Sequence, residues 1–219
     1  MTTLVDCSHE VVDGMTTYPG LPGPTITTHM SREDTAKRMA PGISFQIGRV
    51  DMVANTGTYI DSPWHFHASG ADLAGLRLEQ LADLPAVVVH LEGFEGGVGP
   101  EALPAGEYEG HAVLFHTGWD RNWRTDRYAE SAPYLTRAVV ESLLAQEVAL
   151  VGIDSVNIDS IADLTRPAHH GLLGAGIPIV EHLTHLGELP ERGARFFAVP
   201  PKVSGFGTFP VRAFAMIAS

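Results

Sequence analysis

The sequence predicts an α/β domain with a β-rich core, and three observations carry that expectation. Ala86-Val87-Val88-Val89-His90-Leu91 is an unbroken, mostly β-branched run, and residues 112–115 and 148–153 repeat the pattern. Such runs suit strands buried on both faces, because a strand with one wet face alternates apolar with polar. Between the last two runs, residues 136–146 place Val139, Val140, Leu143 and Leu144 on one helical stripe. A strand, helix, strand order makes an α/β layer.

The other elements follow along the chain. Leu4-Val5-Asp6 reads as a short strand, leading into a loop rich in Gly and Pro over residues 14–24, of the kind that lines or covers a site. Residues 45–53 set Phe45, Ile47 and Val53 against Gln46, Gly48 and Asp51, the period of a strand, and deliver the chain to Asn55. Residues 76–84 fit a short helix or turn before the first apolar run. Residues 174–183 are expected as a strand that carries Glu181, and residues 196–199 and 211–217 as two more. No repeat of about 20 to 50 residues and no low-complexity tract is present, which sets solenoids and arrays aside.

With 219 residues, 44% of them apolar, the chain can build one sizeable core, so a single domain over residues 1–219 is expected. A net charge of −12 repels phosphate backbones and anionic membrane surfaces, which argues against a nucleic-acid or membrane partner. Cys7 is the one cysteine, and the first thirty residues lack a basic segment followed by an apolar one; both point to a reducing, cytoplasmic setting. Eleven histidines are more than ordinary composition supplies.

The stretch from Asn55 to Phe66 concentrates chemistry: Asn-Thr-Gly-Thr-Tyr-Ile-Asp-Ser-Pro-Trp-His-Phe. Gly57 and Thr58 allow a tight turn, and Pro63 stiffens the segment between Asp61 and His65. A carboxylate and an imidazole on a stiff loop suit metal ligation or general-base work. On local features alone, Asp61 capping a turn with His65 packed beneath it stays open.

This segment resembles the His-x-Gly-Thr-His-x-Asp-x-Pro-x-His-Phe signature of the cyclase family, which includes bacterial kynurenine formamidases and isatin hydrolases. Gly57, Thr58, Asp61, Pro63, His65 and Phe66 match, while Asn55 and Tyr59 stand where the family has metal-binding histidines. The stretch 4–20, His116-Thr117-Gly118-Trp119, Gly152-Ile153-Asp154, His169 with Glu181 twelve residues later, and Pro210-Val211-Arg212-Ala213 continue the resemblance in order. It implies a swivelling β/α fold with flanking helices, a small-molecule substrate, and assembly as a homodimer or homotetramer.

For the two-metal members, the resemblance implies one ion on two signature histidines and the aspartate, and a second on the shared aspartate, the later histidine and the glutamate. Carried over, Asp61, His169 and Glu181 remain for the second ion, and Asp61 alone for the first. An Asn amide is a weak ligand, and a Tyr phenol with a pKa of about 10 stays protonated at neutral pH, whereas zinc prefers nitrogen and sulfur donors. Three readings follow. One is a hydrolase of an amide-like carbonyl on an aromatic or cyclic molecule such as an arylformamide. It would use one divalent metal, Zn or Mn, with His65 as the proton-transfer group. Another is a metal-free cyclase, dehydratase or isomerase using Asp61, His65 and Tyr59. The third is a silent relative kept for binding or assembly. The retained cluster of Asp61, His65, His169 and Glu181 favours activity, because buried carboxylates without a cation or firm network cost stability.

Around this cluster, Asn55, Trp64, Phe66, Tyr18 and Trp119 are expected to contact substrate, the aromatics as a wall for a planar ring, with core packing the plainer alternative for the tryptophans and Phe66. His9 lies with Tyr18 in the early loop. His67 and His170 read as surface residues beside the assigned histidines, and His29, His90, His111, His182 and His185 follow no pattern.

Overall fold

A computed structural model describes residues 1–218. In chain order the strands and helices are β1 (Thr2–Asp6), β2 (Thr25–Met30), α1 (Arg32–Ala36), β3 (Ile47–Asp51), β4 (Tyr59–Asp61), β5 (Leu84–His90), β6 (Gly97–Val98), β7 (Ala112–His116), β8 (Tyr134–Leu135), α2 (Arg137–Ala145), β9 (Leu150–Ile153), α3 (Pro167–Gly174), β10 (Ile179–Glu181), β11 (Arg192–Phe197), β12 (Thr208–Pro210) and β13 (Phe214–Ala218). Nine strands form one curled sheet in the order β1-β13-β11-β5-β7-β9-β10-β4-β12. Its centre, β5 through β10, is parallel, and antiparallel strands extend it on both sides. Among the described residues no helix is long and apolar enough to cross a membrane.

The three apolar runs are the three central strands, and their period of two divides the core between the faces. Val87, Val89, Val113, Phe115, Val151 and Ile153 point to the side covered by α2 and α3, where Val140, Leu143 and Leu172 meet them. Val88, Leu114, Leu150 and Val180 point to the other side, against Val5, Ile60 and Phe196. Burial of such apolar area, at about 25 cal/mol per Å², is the main stabilising term. The helical stripe over 136–146 is α2, started by Thr136, whose hydroxyl accepts from the Val139 amide.

Three elements differ from the sequence expectation. Residues 174–178 are the end of α3 and a turn, so the strand holding Glu181 begins only at Ile179. The helix α3 itself was not anticipated: Gly171 and Gly174 weaken it, and what starts it is a distant carboxylate, Asp159. Residues 45–53 do contain a strand, β3, but it pairs with β2 outside the main sheet, with every residue of β3 exposed. The alternation there reports a ribbon, which buries neither face in the core.

Candidate active site

Gly57 takes φ +67°, and a Cβ there would meet the Val11 side chain at 2.9 Å, so the turn into β4 needs glycine. Thr58, next in line, accepts from the His9 amide at 3.0 Å and donates to the His182 carbonyl at 2.5 Å. Two residues apart on β4, Tyr59 and Asp61 then share a face. The antiparallel neighbour β10 sets Glu181 directly opposite Tyr59, and on the other flank β12 sets Thr208 opposite Asp61. The register therefore makes two side-chain pairs: the Tyr59 phenol donates to Glu181 Oε2 at 2.7 Å, and the Thr208 hydroxyl donates to Asp61 Oδ1 at 2.5 Å. Pro63 opens a 3-10 turn, Pro63–His65, that returns His65 to the strand end, with Nε2 3.8 Å from Asp61 Oδ1.

His169 arrives from the first turn of α3. Asp159 accepts from the Ala168 amide at 2.7 Å, the His169 amide at 3.0 Å and the His169 ring Nδ1 at 2.7 Å. One carboxylate thus caps the helix and fixes the ring, a pairing that leaves Nε2 free. That Nε2 lies 3.7 Å from Asp61 Oδ2 and 3.7 Å from Glu181 Oε1. Phe66 stacks on the His169 ring, centroids 4.9 Å apart.

Electrostatics follow from burial and crowding. Burial drives the Glu181 carboxyl up to about 7, with the Asp61 charge adding to it and His169 opposing. Burial also pushes Asp61 up, but His169 and His65 outweigh it and hold that carboxyl below its ordinary value. Burial would lower His169; the charges of Glu181, Asp159 and Asp61 overcome it and raise the imidazole to about 10. Burial and the Glu181 and Asp61 charges raise the Tyr59 phenol well above its ordinary value, with the Asn55 side chain offsetting part of the effect, so the group remains an O–H donor.

The structure brings Asp61, His65, His169, Glu181, Tyr59 and Asn55 into one neighbourhood. Phe66 stands on its exposed rim, 40% accessible, and Trp64, 41% accessible, precedes His65 in the same 3-10 turn. Trp119 lies apart, its indole donating to the Tyr128 carbonyl at 3.0 Å beneath Arg127, and it lines a cavity of about 680 Å³ that reaches Asp159 from another side. Tyr18 is half-buried in the early loop, where its carbonyl closes a turn with the Leu21 amide. Behind Tyr59 sits a group the sequence reading missed: His182, fully buried, with Nδ1 2.8 Å from the Tyr128 hydroxyl, and Trp123 stacked on His9. Burial lowers His182 to about 3 and His9 to about 4, so both rings are neutral. Asp159 was missed too. Its only sequence signal is a carboxylate ten residues before His169, which no local spacing rule singles out.

A divalent cation fits one side of this neighbourhood. Asp61 Oδ2 is buried without a hydrogen-bond partner among the described residues. Ligand atoms of Asp61, His65 and His169 lie within 4.8 Å of one another, and donors on a tetrahedral ion with bonds of about 2 Å lie about 3.4 Å apart. Asp61 Oδ2 and Glu181 Oε1 each lie 3.7 Å from His169 Nε2, and one imidazole with two carboxylates suits zinc or manganese, with His65 in reach as a further donor. The expected division of labour shifts in one respect: His65 stands as near Asp61 as His169 does. On the other side, Tyr59 occupies Glu181 Oε2 with an O–H, and the residues there do not fit a second ion.

The Cyclase family model matches residues 5–160. The kynurenine formamidase of Geobacillus thermodenitrificans is 32% identical over 197 residues, covering 89% of this chain and 90% of that one. Isatin hydrolase A from Labrenzia aggregata, solved bound to benzyl benzoate, superposes with a TM-score of 0.85 at 20% identity over 100% of this chain and 94% of its own. A structure described as a potential metal-dependent hydrolase with cyclase activity gives 0.82 at 24% over the whole of both chains. At those identities the two structures speak for the fold, and they match the swivelling β/α arrangement; the family match and the formamidase identity carry the assignment. The chain is a member of the Cyclase family.

Proposed function

We propose that this protein hydrolyses an amide-like carbonyl on an aromatic or cyclic small molecule, with one divalent metal held by Asp61, His169 and Glu181. The observation that carries the reading is the unpartnered, buried Asp61 Oδ2 facing a His169 Nε2 that Asp159 has left free. Such an ion supplies Lewis acidity and a water nucleophile at neutral pH. The chain's own groups do the rest. Asp159 holds the His169 tautomer, Tyr59 orients Glu181, and the exposed Trp64 and Phe66 offer apolar faces to a planar ring. His65, on the rim, takes a proton from the attacking water and returns it to the leaving nitrogen as the C–N bond breaks.

Protein with a measured metal content should turn over an arylformamide, lose that activity on chelation and regain it with Zn²⁺ or Mn²⁺. His65→Ala should lower kcat by about 10² to 10⁴ with metal content intact. Full turnover after complete metal removal would replace this reading with a metal-free one. That second reading has its own support: the ionised His169 among Asp159, Asp61 and Glu181 balances their charge without a cation. Equal loss of metal in His65→Ala would make His65 a ligand.

For assembly, the reading is a homo-oligomer. The β2–β3 ribbon leaves Ile26, Ile47 and Val50, and the connection before β3 leaves Ile43, at 41–57% exposure, although a two-stranded ribbon is marginal alone in water. The segment 25–51, with the connecting helix and loop included, carries four basic against three acidic residues in a chain of −12, which suits contact with a second copy. Light scattering decides this: a mass of one chain would overturn it.

A further inference from the structure

His90 and His116 end the adjacent parallel strands β5 and β7 and stand opposite each other in register. Their Nδ1 atoms are 3.1 Å apart, with the rings at 87°. Neither belongs to the Asp61 cluster. Both backbones are fixed by the centre of the sheet, so the pair is held by the most buried part of the fold while His90 itself is exposed. His116 is seated against Gly187, where a Cβ would come within 2.9 Å of its Cε1 and 3.1 Å of its Nε2, so a larger residue there would push the ring out of this position.

We propose that His90 and His116 form a second metal site, a surface chelate that takes one zinc-class divalent ion through both Nδ1 atoms with water in the remaining positions. Two metal–nitrogen bonds of about 2.0–2.1 Å span the observed separation at an angle of about 100°, between the tetrahedral and square-planar preferences of Zn²⁺ and Cu²⁺. Without the ion, one Nδ1–H donates to the other Nδ1. With it, that ring shifts its proton to Nε2 and both rings turn so that their Nδ1 lone pairs leave the N···N line and converge on the cation, at no net cost in protons. Burial and the neighbouring His90 hold the His116 imidazole below its ordinary value, which keeps its lone pair available at neutral pH. Glu92 and Asp120 add negative charge around the pair, against the opposing charge of Arg121. Imidazole pairs suit borderline metals and leave Mg²⁺ and Ca²⁺, which prefer oxygen, unbound. One consequence is that two equivalents of zinc on this protein would not place two ions in the Asp61 pocket.

Metal-stripped full-length protein titrated with ZnCl₂, with elemental analysis after desalting, tests this against His90→Asn, His116→Asn and Asp61→Asn. Wild type should bind one equivalent more than either histidine variant, and Asp61→Asn should retain that equivalent. With CuSO₄, the electron paramagnetic resonance spectrum of Asp61→Asn should show coupling to two imidazole nitrogens, lost when His90→Asn is added to that variant. Equal zinc stoichiometry in wild type and His90→Asn, or an unchanged copper spectrum, would overturn the site. His90 is exposed, so its variant decides the question even where His116→Asn fails to fold. The pocket's own metal is read separately, because it alone depends on Asp61.

Discussion

The half of the pocket built by Asp61, His169 and Asp159 and the half built by Asn55 and Tyr59 meet at one carboxylate, Glu181, and they use its two oxygens differently. On the first side Oε1 accepts the Ile158 amide at 2.6 Å and keeps a lone pair toward His169 Nε2, which the orphaned Asp61 Oδ2 also approaches at 3.7 Å. On the second side Oε2 is closed by the Tyr59 phenol. Lone pairs that converge on one point invite a cation; a phenol O–H satisfies a single lone pair and stops there. Two carboxylates this deeply buried need one solution or the other, and here each side of Glu181 has its own.

The larger expected effect comes from disturbing the first half through the residue behind it. In Asp159→Asn, one of the two oxygens that accept the Ala168 amide, the His169 amide and the His169 ring N–H becomes an NH₂ donor and the other loses its charge, so the hold on the ring's tautomer weakens. Zinc affinity, measured by competition with a chromophoric chelator, should fall about 10- to 100-fold with the fold retained. Unchanged affinity would mean that His169 does not bind through Nε2, and the two halves would no longer differ in kind.

How much of this was readable beforehand depended on whether the cause was local. The apolar runs of β5, β7 and β9 are legible because burial on both faces forces their composition, and α2 because one stripe faces the sheet. Tyr59, Asp61 and His65 are legible because one turn and one short strand set them. Asp159, Thr208, Tyr128 and His182 were not, since each matters through a partner brought close only by strand order or helix placement, 10 to 147 residues away. The β2–β3 ribbon misleads for a related reason. Period-two alternation records strand geometry, whereas the exposure of its apolar residues depends on what packs against it.

The second half yields the smaller and sharper test, a gain of one ion with the existing one undisturbed. Replacing Asn55 and Tyr59 together by histidine removes the O–H from Glu181 Oε2 and places two imidazoles beside Asp61, a nitrogen-rich donor set that zinc favours. The Tyr59 ring is fully enclosed, and histidine is smaller, so the space exists without overpacking. His182, whose ring centroid is 5.0 Å from that of Tyr59, stays neutral and adds no repelling charge. Elemental analysis should therefore find one more zinc in Asn55→His/Tyr59→His than in wild type, in a background carrying His90→Asn so that the surface pair contributes nothing. A folded double variant with no added zinc would mean that the phenol is not what closes this side. The difference between the two halves would then rest on backbone placement, with Asn55 too far from Asp61 for any side chain at that position to share its ion.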